Sequence, residues 1–375
     1  MAVPDSVEQR LALIKRRLPE VNGEDLIRIL LDEGKRPSCF WATAPTGKPH
    51  IGYFIPLTKL ADFLEAECEV TVLLVDTYAF LVNYKYPWEQ VLQRTEYYRF
   101  LVKAVLEAIG VPSSRVRFIE SSAYEGTKDF VIDHYKLCAL LSQQDCKDTG
   151  AEVSASKMFS PMLTPGLQSL AEEYLRADIQ FGGLDQRGIF HMAETFLPQL
   201  GYQKRAHLMN TMLGSLTGGK MSSSHAPNTK IMFLDGPNTV REKISGAYCK
   251  AGEISKNGIL PILKEVLIPI SELRVQRQKQ GQSDQKPFCS TDAPTDTVFS
   301  VEPNSNDGGG SRHYKSYDEI EQEFGQKKLD PGALKGAVAE ALNQLLAPIR
   351  SSYRENKAWR EVDKVAYPGE IAMTD

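Results

Sequence analysis

Long apolar runs are missing from this 375-residue sequence, and no segment reaches membrane-spanning length. The first residues alternate acidic and basic side chains without an apolar stretch of the secretory type, so no export signal is expected. An excess of one charge is missing too. A formal net charge of −4 gives no bulk signal for nucleic acid, so any such contact has to be local. Cysteine is sparse: the six, at 39, 68, 138, 146, 249 and 289, form no Cys-x-x-Cys pair and have no histidine at metal-ligand spacing. That excludes a disulfide framework, makes a protein-held metal unexpected, and predicts reduced thiols in a cytoplasmic setting. No internal repeat is visible. What remains, 42% apolar and 25% charged residues, is a globular composition sufficient for one large domain or two ordinary ones.

The most informative stretch runs from Phe40 to Tyr53. Apolar residues from Cys39 to Ala42 read as a strand end, Pro45, Gly47 and Pro49 are turn chemistry, and Phe54, Leu57, Leu60, Ala61 and Leu64 recur at helical spacing. A fresh helix N-terminus favours phosphate, and His50 falls in its first turn. Gly52 leaves room for a flat group to approach. By itself this pattern also suits an ordinary strand-to-helix loop with a surface histidine.

The chain around it predicts an α/β fold. Residues 6–34 read as two amphipathic helices. Ser38–Ala44, Val70–Val75, Val116–Glu120, Asp178–Phe181 and His207–Thr211 read as strands, with helices between them. Strands alternating with helices predict a Rossmann-like doubly wound parallel sheet with its ligand crevice at the carboxyl ends of the strands. From Pro237 the pattern turns helical, over 238–249, 255–270, 316–328 and 331–355. We therefore expect a catalytic domain over 1–236 and a helical domain over 237–375. The polar residues 274–312, including Gly308-Gly309-Gly310, are expected to form a disordered insertion.

A second stretch, Gly218-Gly219-Lys220-Met221-Ser222-Ser223-Ser224, offers a hinge, a mobile cation and three hydroxyls, which suits a polyphosphate. It lacks P-loop spacing, and alone it reads equally as a solvated loop.

Together, in this order, the two stretches resemble those of class I aminoacyl-tRNA synthetases. Pro49-His50-Ile51-Gly52-Tyr53 is similar to their "HIGH" element and Lys220–Ser224 to "KMSKS". The wider likeness is to the tyrosyl-tRNA synthetases of the eukaryotic cytosol. It is carried by Ala44–His50, Thr58–Leu64, Phe181–Arg187, Lys204–Asn210 and Ala341–Arg350, and it covers nearly the whole chain except about 274–312. The resemblance implies ATP-dependent activation of an amino acid to its adenylate, then transfer to tRNA by a homodimer, with Mg²⁺ accompanying ATP. It implies catalytic roles for His50, Lys220, Ser222 and Ser223, and ATP binding by Thr43, Gly47, His50, Gly52, Asp185, Met221 and Ser224. The aromatic residues Trp88, Tyr97, Tyr98 and Phe100 suit the implied dimer interface, or equally a core helix.

The amino-acid half departs from the family. The resemblance puts Phe40, Tyr78, Tyr124, Glu125, Thr164, Gln168, Ala171 and Gln186 around the amino acid. Phe40 and Ala171 stand where the family has the tyrosine and aspartate that bind the substrate phenol, and Thr164 replaces a tyrosine near the amine. Tyr78, Tyr124-Glu125 and Val82 also depart, and the loop 152–163 is about three residues short. Gln168 and Gln186 are retained. An apolar, roomier pocket end is expected, suited to an aromatic acid other than plain tyrosine, with Glu125 available to a polar or cationic group. Two other functions stay open at this point: an adenylate-forming relative that passes the acyl group to a small amine or hydroxyl, and a non-catalytic regulator.

Overall fold

The structure, a computed structural model, describes residues 6–216, 229–303 and 310–370. Its centre is a six-stranded sheet of β1 (Glu20–Asn22), β2 (Ser38–Thr43), β3 (Glu69–Leu74), β4 (Val116–Glu120), β5 (Ile179–Gly183) and β6 (Ala206–Asn210). The strand order is β1-β6-β5-β2-β3-β4. All neighbours are parallel except β1, which pairs antiparallel with β6. β1 is the one strand of this sheet absent from the sequence expectation. It is three residues long, too short for an alternating pattern to register, and it sits between two helices.

The parallel strands are apolar because helices cover both faces. All five residues of β6 are buried, and Val72, Leu73 and Leu74 of β3 are fully so. β2 and β5 are locked at their starts by Asp178, whose carboxylate accepts from the Ser38 amide at 2.8 Å. From β2 the chain winds to β3 and β4 on one side, and β5 and β6 lie on the other. The switch point therefore lies between β2 and β5, where the Thr43 and Gly183 ends diverge.

Beyond residue 236 the helices are Pro237–Gly246, Ile268–Lys279, Tyr317–Gly325, Pro331–Glu355 and Lys357–Ala366. The last was not anticipated. It buries Trp359 against Tyr97 (ring centroids 5.9 Å apart) and Phe100 (6.0 Å) of the helix Trp88–Ala108. Of the four aromatic residues that suited a dimer interface or equally a core helix, Tyr97, Tyr98 and Phe100 pack inside the chain. One buried apolar cluster runs from Phe54 and Phe233 to Leu263, Leu334 and Trp359. The described part of 274–312 also differs from a loose insertion. β7 (Phe299–Val301) and β8 (Arg312–Tyr314) pair antiparallel, and Phe288, Val298, Phe299 and Val301 are buried. Four apolar anchors, three of them within 298–301, dock this polar stretch, a signal that average composition hides. Among the described residues no helix is long and apolar enough to cross a membrane.

Candidate active site

A cleft of about 280 Å³ opens at the switch point, at the carboxyl ends of β2, β5 and β6. Thr43, His50, Gly52, Tyr78, Gln168, Asp185 and Gln186 all line it. Sequence reasoning placed the strand ends there but missed several other lining residues, among them Thr46, Glu152, Asn210 and Thr211. Asn210 and Thr211 follow directly from the end of β6. Glu152 sits in an irregular stretch with no periodic signal.

The turn after β2 is tightly held. The Thr43 hydroxyl lies 3.0 Å from that of Tyr53. Tyr98 donates to the Gly47 carbonyl at 2.6 Å and Arg94 to the Thr46 carbonyl at 2.6 Å. Gly47 itself does not line the cleft. His50 caps the first turn: its Nδ1 accepts from the Gly52 amide at 3.1 Å, which leaves the proton on Nε2. Gly52 is required by that cap. A Cβ there would fall 2.7 Å from His50 Cε1 and 2.9 Å from Nδ1. The glycine therefore makes room for the histidine ring as well as for a ligand. Gly183 plays the same part on β5, where a Cβ would lie 2.5 Å from both Asp185 Oδ1 and Met212 Sδ.

The opposite wall is a relay of amides. Gln168 Nε2 donates to Gln186 Oε1 at 3.0 Å and to Gln180 Oε1 at 3.1 Å. Gln180 in turn donates to Glu172. Glu172 and Glu194 grip His207 at 2.6 and 2.9 Å, and Phe190 stacks on its ring. Burial alone would lower the His207 pKa. Its hydrogen bonds to Glu172 and Glu194, with their charges, outweigh that and raise it to about 9. The imidazolium so held fixes which way each amide of the relay points.

Among the described residues, Phe40, Tyr124, Glu125, Thr164 and Ala171 do not line the cleft. Phe40 and Ala171 are each 1% exposed and share one apolar cluster with Leu73, Val75 and Ala177, onto which Tyr78 and Tyr124 pack. Phe40 and Ala171 present only apolar groups to that end. Thr164 is fully buried and its hydroxyl turns to the Pro161 carbonyl at 2.8 Å. Tyr124 packs between Phe130 and Tyr174, and its buried hydroxyl has no hydrogen-bond partner among the described residues. Glu125 joins a polar knot with Thr77 and Ser121 beside the fully buried Asp76. Burial raises its pKa to about 7. Its Thr77 bond opposes this and the Asp76 charge adds to it. Lys220, Met221, Ser222, Ser223 and Ser224 lie outside the described residues.

The family model for class I tRNA synthetases (W and Y) matches residues 32–347. The chain belongs to that family. It is 41% identical to the cytoplasmic tyrosine–tRNA ligase of Gallus gallus over 372 residues, covering 98% of this chain and 65% of that protein. It is 43% identical to that of Saccharomyces cerevisiae over 365 residues, covering 96% of this chain and 88% of that one. The chain therefore spans less than two thirds of the length of the vertebrate synthetases it matches. The Archaeoglobus fulgidus tyrosyl-tRNA synthetase, solved with L-tyrosine, superposes with a TM-score of 0.78 at 31% identity, covering 92% of this chain and 99% of that one.

Proposed function

We propose that this class I synthetase activates an aromatic amino acid with ATP and transfers it to tRNA in the cytoplasm, the location named for its relatives. The observation that carries this is the convergence of Thr43, His50, Gly52 and Asp185 on one cleft at the switch point. The amino-acid carboxylate attacks the α-phosphorus of ATP and pyrophosphate leaves. The protein's part is positioning and charge stabilisation, so no nucleophilic side chain is needed. His50, with its proton on Nε2, donates to the phosphate undergoing attack. Asp185 holds the ribose, and Lys220–Ser224 neutralise the leaving pyrophosphate. Mg²⁺ would arrive on the nucleotide's phosphates. Among the described residues no group of three His, Cys, Asp or Glu side chains is arranged as metal ligands. Residues 1–236 form the catalytic unit in this reading and 237–375 the helical unit that meets tRNA. A homodimer is proposed with it, for which Tyr135 and Phe159 remain exposed.

The substrate side chain is the second part of the proposal. The Phe40–Ala171 cluster offers no hydrogen bond to a phenol, and a site of that kind loses the hydroxyl-based discrimination of about 10⁴–10⁵ that a polar site achieves. Phenylalanine, an O-alkylated tyrosine or another bulky aromatic acid fits better than tyrosine. ATP–pyrophosphate exchange with a panel of amino acids, followed by tRNA acylation with the best of them, tests both parts. Ordinary tyrosine exchange with rejection of the analogues would overturn the specificity. Exchange with none of them would overturn the activity.

A further inference from the structure

The strip that leaves β6 borders one side of the cleft, through Asn210, Thr211, Met212 and Leu213. It runs between the groups that the proposed reaction gives to ATP. A Cβ on Gly183 would meet Met212 Sδ as closely as Asp185 Oδ1, and a Cβ on Gly52 would lie 3.6 Å from Leu213 Cβ as well as against His50. Met212 therefore flanks Asp185, and Leu213 flanks the glycine of the His50 turn. A nucleotide held by both His50 and Asp185 lies across this strip, so a shift of the strip moves the nucleotide.

The pairing of β6 ends at Asn210, opposite Gly183. Beyond that point the strip is tied to the part of the chain after residue 236. The Thr211 hydroxyl donates to Glu265 Oε2 at 2.7 Å. Further along, the Leu216 carbonyl accepts from the Tyr248 amide at 3.1 Å, and Gly258 packs so closely that a Cβ on it would overlap that carbonyl. Asn210 adds a local tie, its amide donating to the Thr211 carbonyl at 2.5 Å.

Glu265 stands at an irregular point of its helix. Pro269 lacks the N–H that an α-helix would bring to the Glu265 carbonyl, and the chain takes a widened π turn over Leu263–Leu267. Such turns are rare and recur at functional sites. Leu263, Val266 and Leu267 seat the turn in the main apolar cluster, which gives the carboxylate a fixed base. Arg17, Lys59 and Asp62 line a small cavity with Glu265. The two cations are engaged elsewhere: Arg17 pairs with Glu272 at 3.0 Å and Lys59 with Asp62 at 3.1 Å. The Glu265 carboxylate is thus turned to Thr211 rather than to an ion pair with either of them.

We propose that Glu265, acting through the Thr211 hydroxyl, is a positioning residue for ATP in the activation step, so that the helical part of the chain sets the nucleotide side of the cleft. The inference rests on the activity proposed above and adds to it a residue outside the cleft lining.

ATP–pyrophosphate exchange by the full chain, with the best amino acid of the panel, tests it. Thr211→Val keeps the shape and removes the donor, Glu265→Ala removes the acceptor, and Glu265→Gln keeps a neutral acceptor. Thr211→Val and Glu265→Ala should each raise KM for ATP about 5- to 20-fold and leave KM for the amino acid as in the parent. Glu265→Gln should restore most of that loss. The double variant Thr211→Val with Glu265→Ala should be no worse than either single one, because both remove the same contact. Where Glu265→Ala fails to fold, Thr211→Val and Glu265→Gln carry the same expectations. An unchanged KM for ATP, equal rises in both KM values, or multiplying effects in the double variant would overturn the role of Glu265 while leaving the activity intact. Absence of exchange by the parent with every amino acid would overturn the activity, and this role with it.

Discussion

The Lys48 ammonium lies 2.9 Å from the Asp363 carboxylate, both buried, and joins the turn before His50 to the last described helix. It is a charge contact flanked by the rings of Tyr97 and Tyr367, 5.7 and 5.3 Å from the ammonium. Arg94 runs parallel to it, from the Thr46 carbonyl to that of Ala366 at 3.0 Å. Lys48→Met strands the buried Asp363 carboxylate and should cost about 3–5 kcal/mol in urea unfolding. Lys48→Met with Asp363→Leu should lose less than Lys48→Met alone. Because the turn carries His50, the surviving enzyme should show a raised KM for ATP and little change for the amino acid.

His207 gives a pH prediction. Its pKa is raised to about 9 from the ordinary imidazole value of 6.5, so its contribution is complete below the unfolded value and lost as pH climbs through 9. A shift of that size corresponds to roughly 3 kcal/mol. Unfolding measured from pH 6 to 10 should show a decline centred on that interval, and His207→Gln should abolish much of it. The same variant should raise KM for the amino acid, because Glu172 orients Gln180 and Gln180 orients Gln168.

Much of this site was legible because its signals are local. Pro45, Gly47, Pro49 and the helical apolar spacing behind them mark the turn, and Asp185 follows an apolar strand at its carboxyl end. β1 was not legible, since three residues carry no period and its pairing partner β6 lies far along the chain. The clamp of Lys48 on Asp363 was hidden for the same reason of separation. Glu125 was set beside the amino acid by the resemblance alone, and it does not line the cleft. It closes the short helix Ser122–Glu125, and its side chain turns into the Asp76 knot. Glu152 was invisible because only the fold brings it opposite Tyr78.

Glu125 supplies a second pH prediction, in the same direction as His207 but at lower pH. Its folded pKa of about 7 lies above the ordinary carboxyl value of 4.5, so the native state favours the protonated form. That contribution is present below the unfolded pKa and lost as pH rises through 7. Glu125→Gln keeps the shape and removes the buried charge next to Asp76. It should stabilise the protein at pH 8 by about 1–3 kcal/mol and make little difference at pH 4. Paired thermal or urea unfolding at the two pH values checks it.

Gly52 and Gly183 predict losses of activity with small effects on folding. Gly52→Ala forces the His50 ring from a Cβ that would sit 2.7 Å away, and Gly183→Ala displaces Asp185 and Met212. Both clashes end on side chains at the cleft, so the sheet can hold its form while the site cannot. Each variant should cut exchange by about 100-fold, in line with the loss of a positioned group or donor. Far-ultraviolet circular dichroism should remain that of the parent. Gly52→Ala should act mainly on kcat, through His50.

The Phe40–Ala171 cluster allows the substrate proposal to be reversed by design. Ala171→Asp alone puts a carboxylate into a site 1% exposed, with Phe40 unable to bond it, and should cost roughly 2 kcal/mol or more. Phe40→Tyr alone adds a hydroxyl without a partner and should be mildly destabilising. Together the two side chains can satisfy one another and a substrate phenol, so the combined variant should recover stability relative to Ala171→Asp. The ratio of tyrosine to phenylalanine exchange should then rise by about 100-fold or more over the parent. If the parent already favours tyrosine to that extent, Phe40 and Ala171 do not govern specificity, and the discrimination has to come from another polar atom of the pocket. The buried hydroxyl of Tyr124 would be the first to replace, as Tyr124→Phe, since it packs on the same cluster without a hydrogen-bond partner among the described residues.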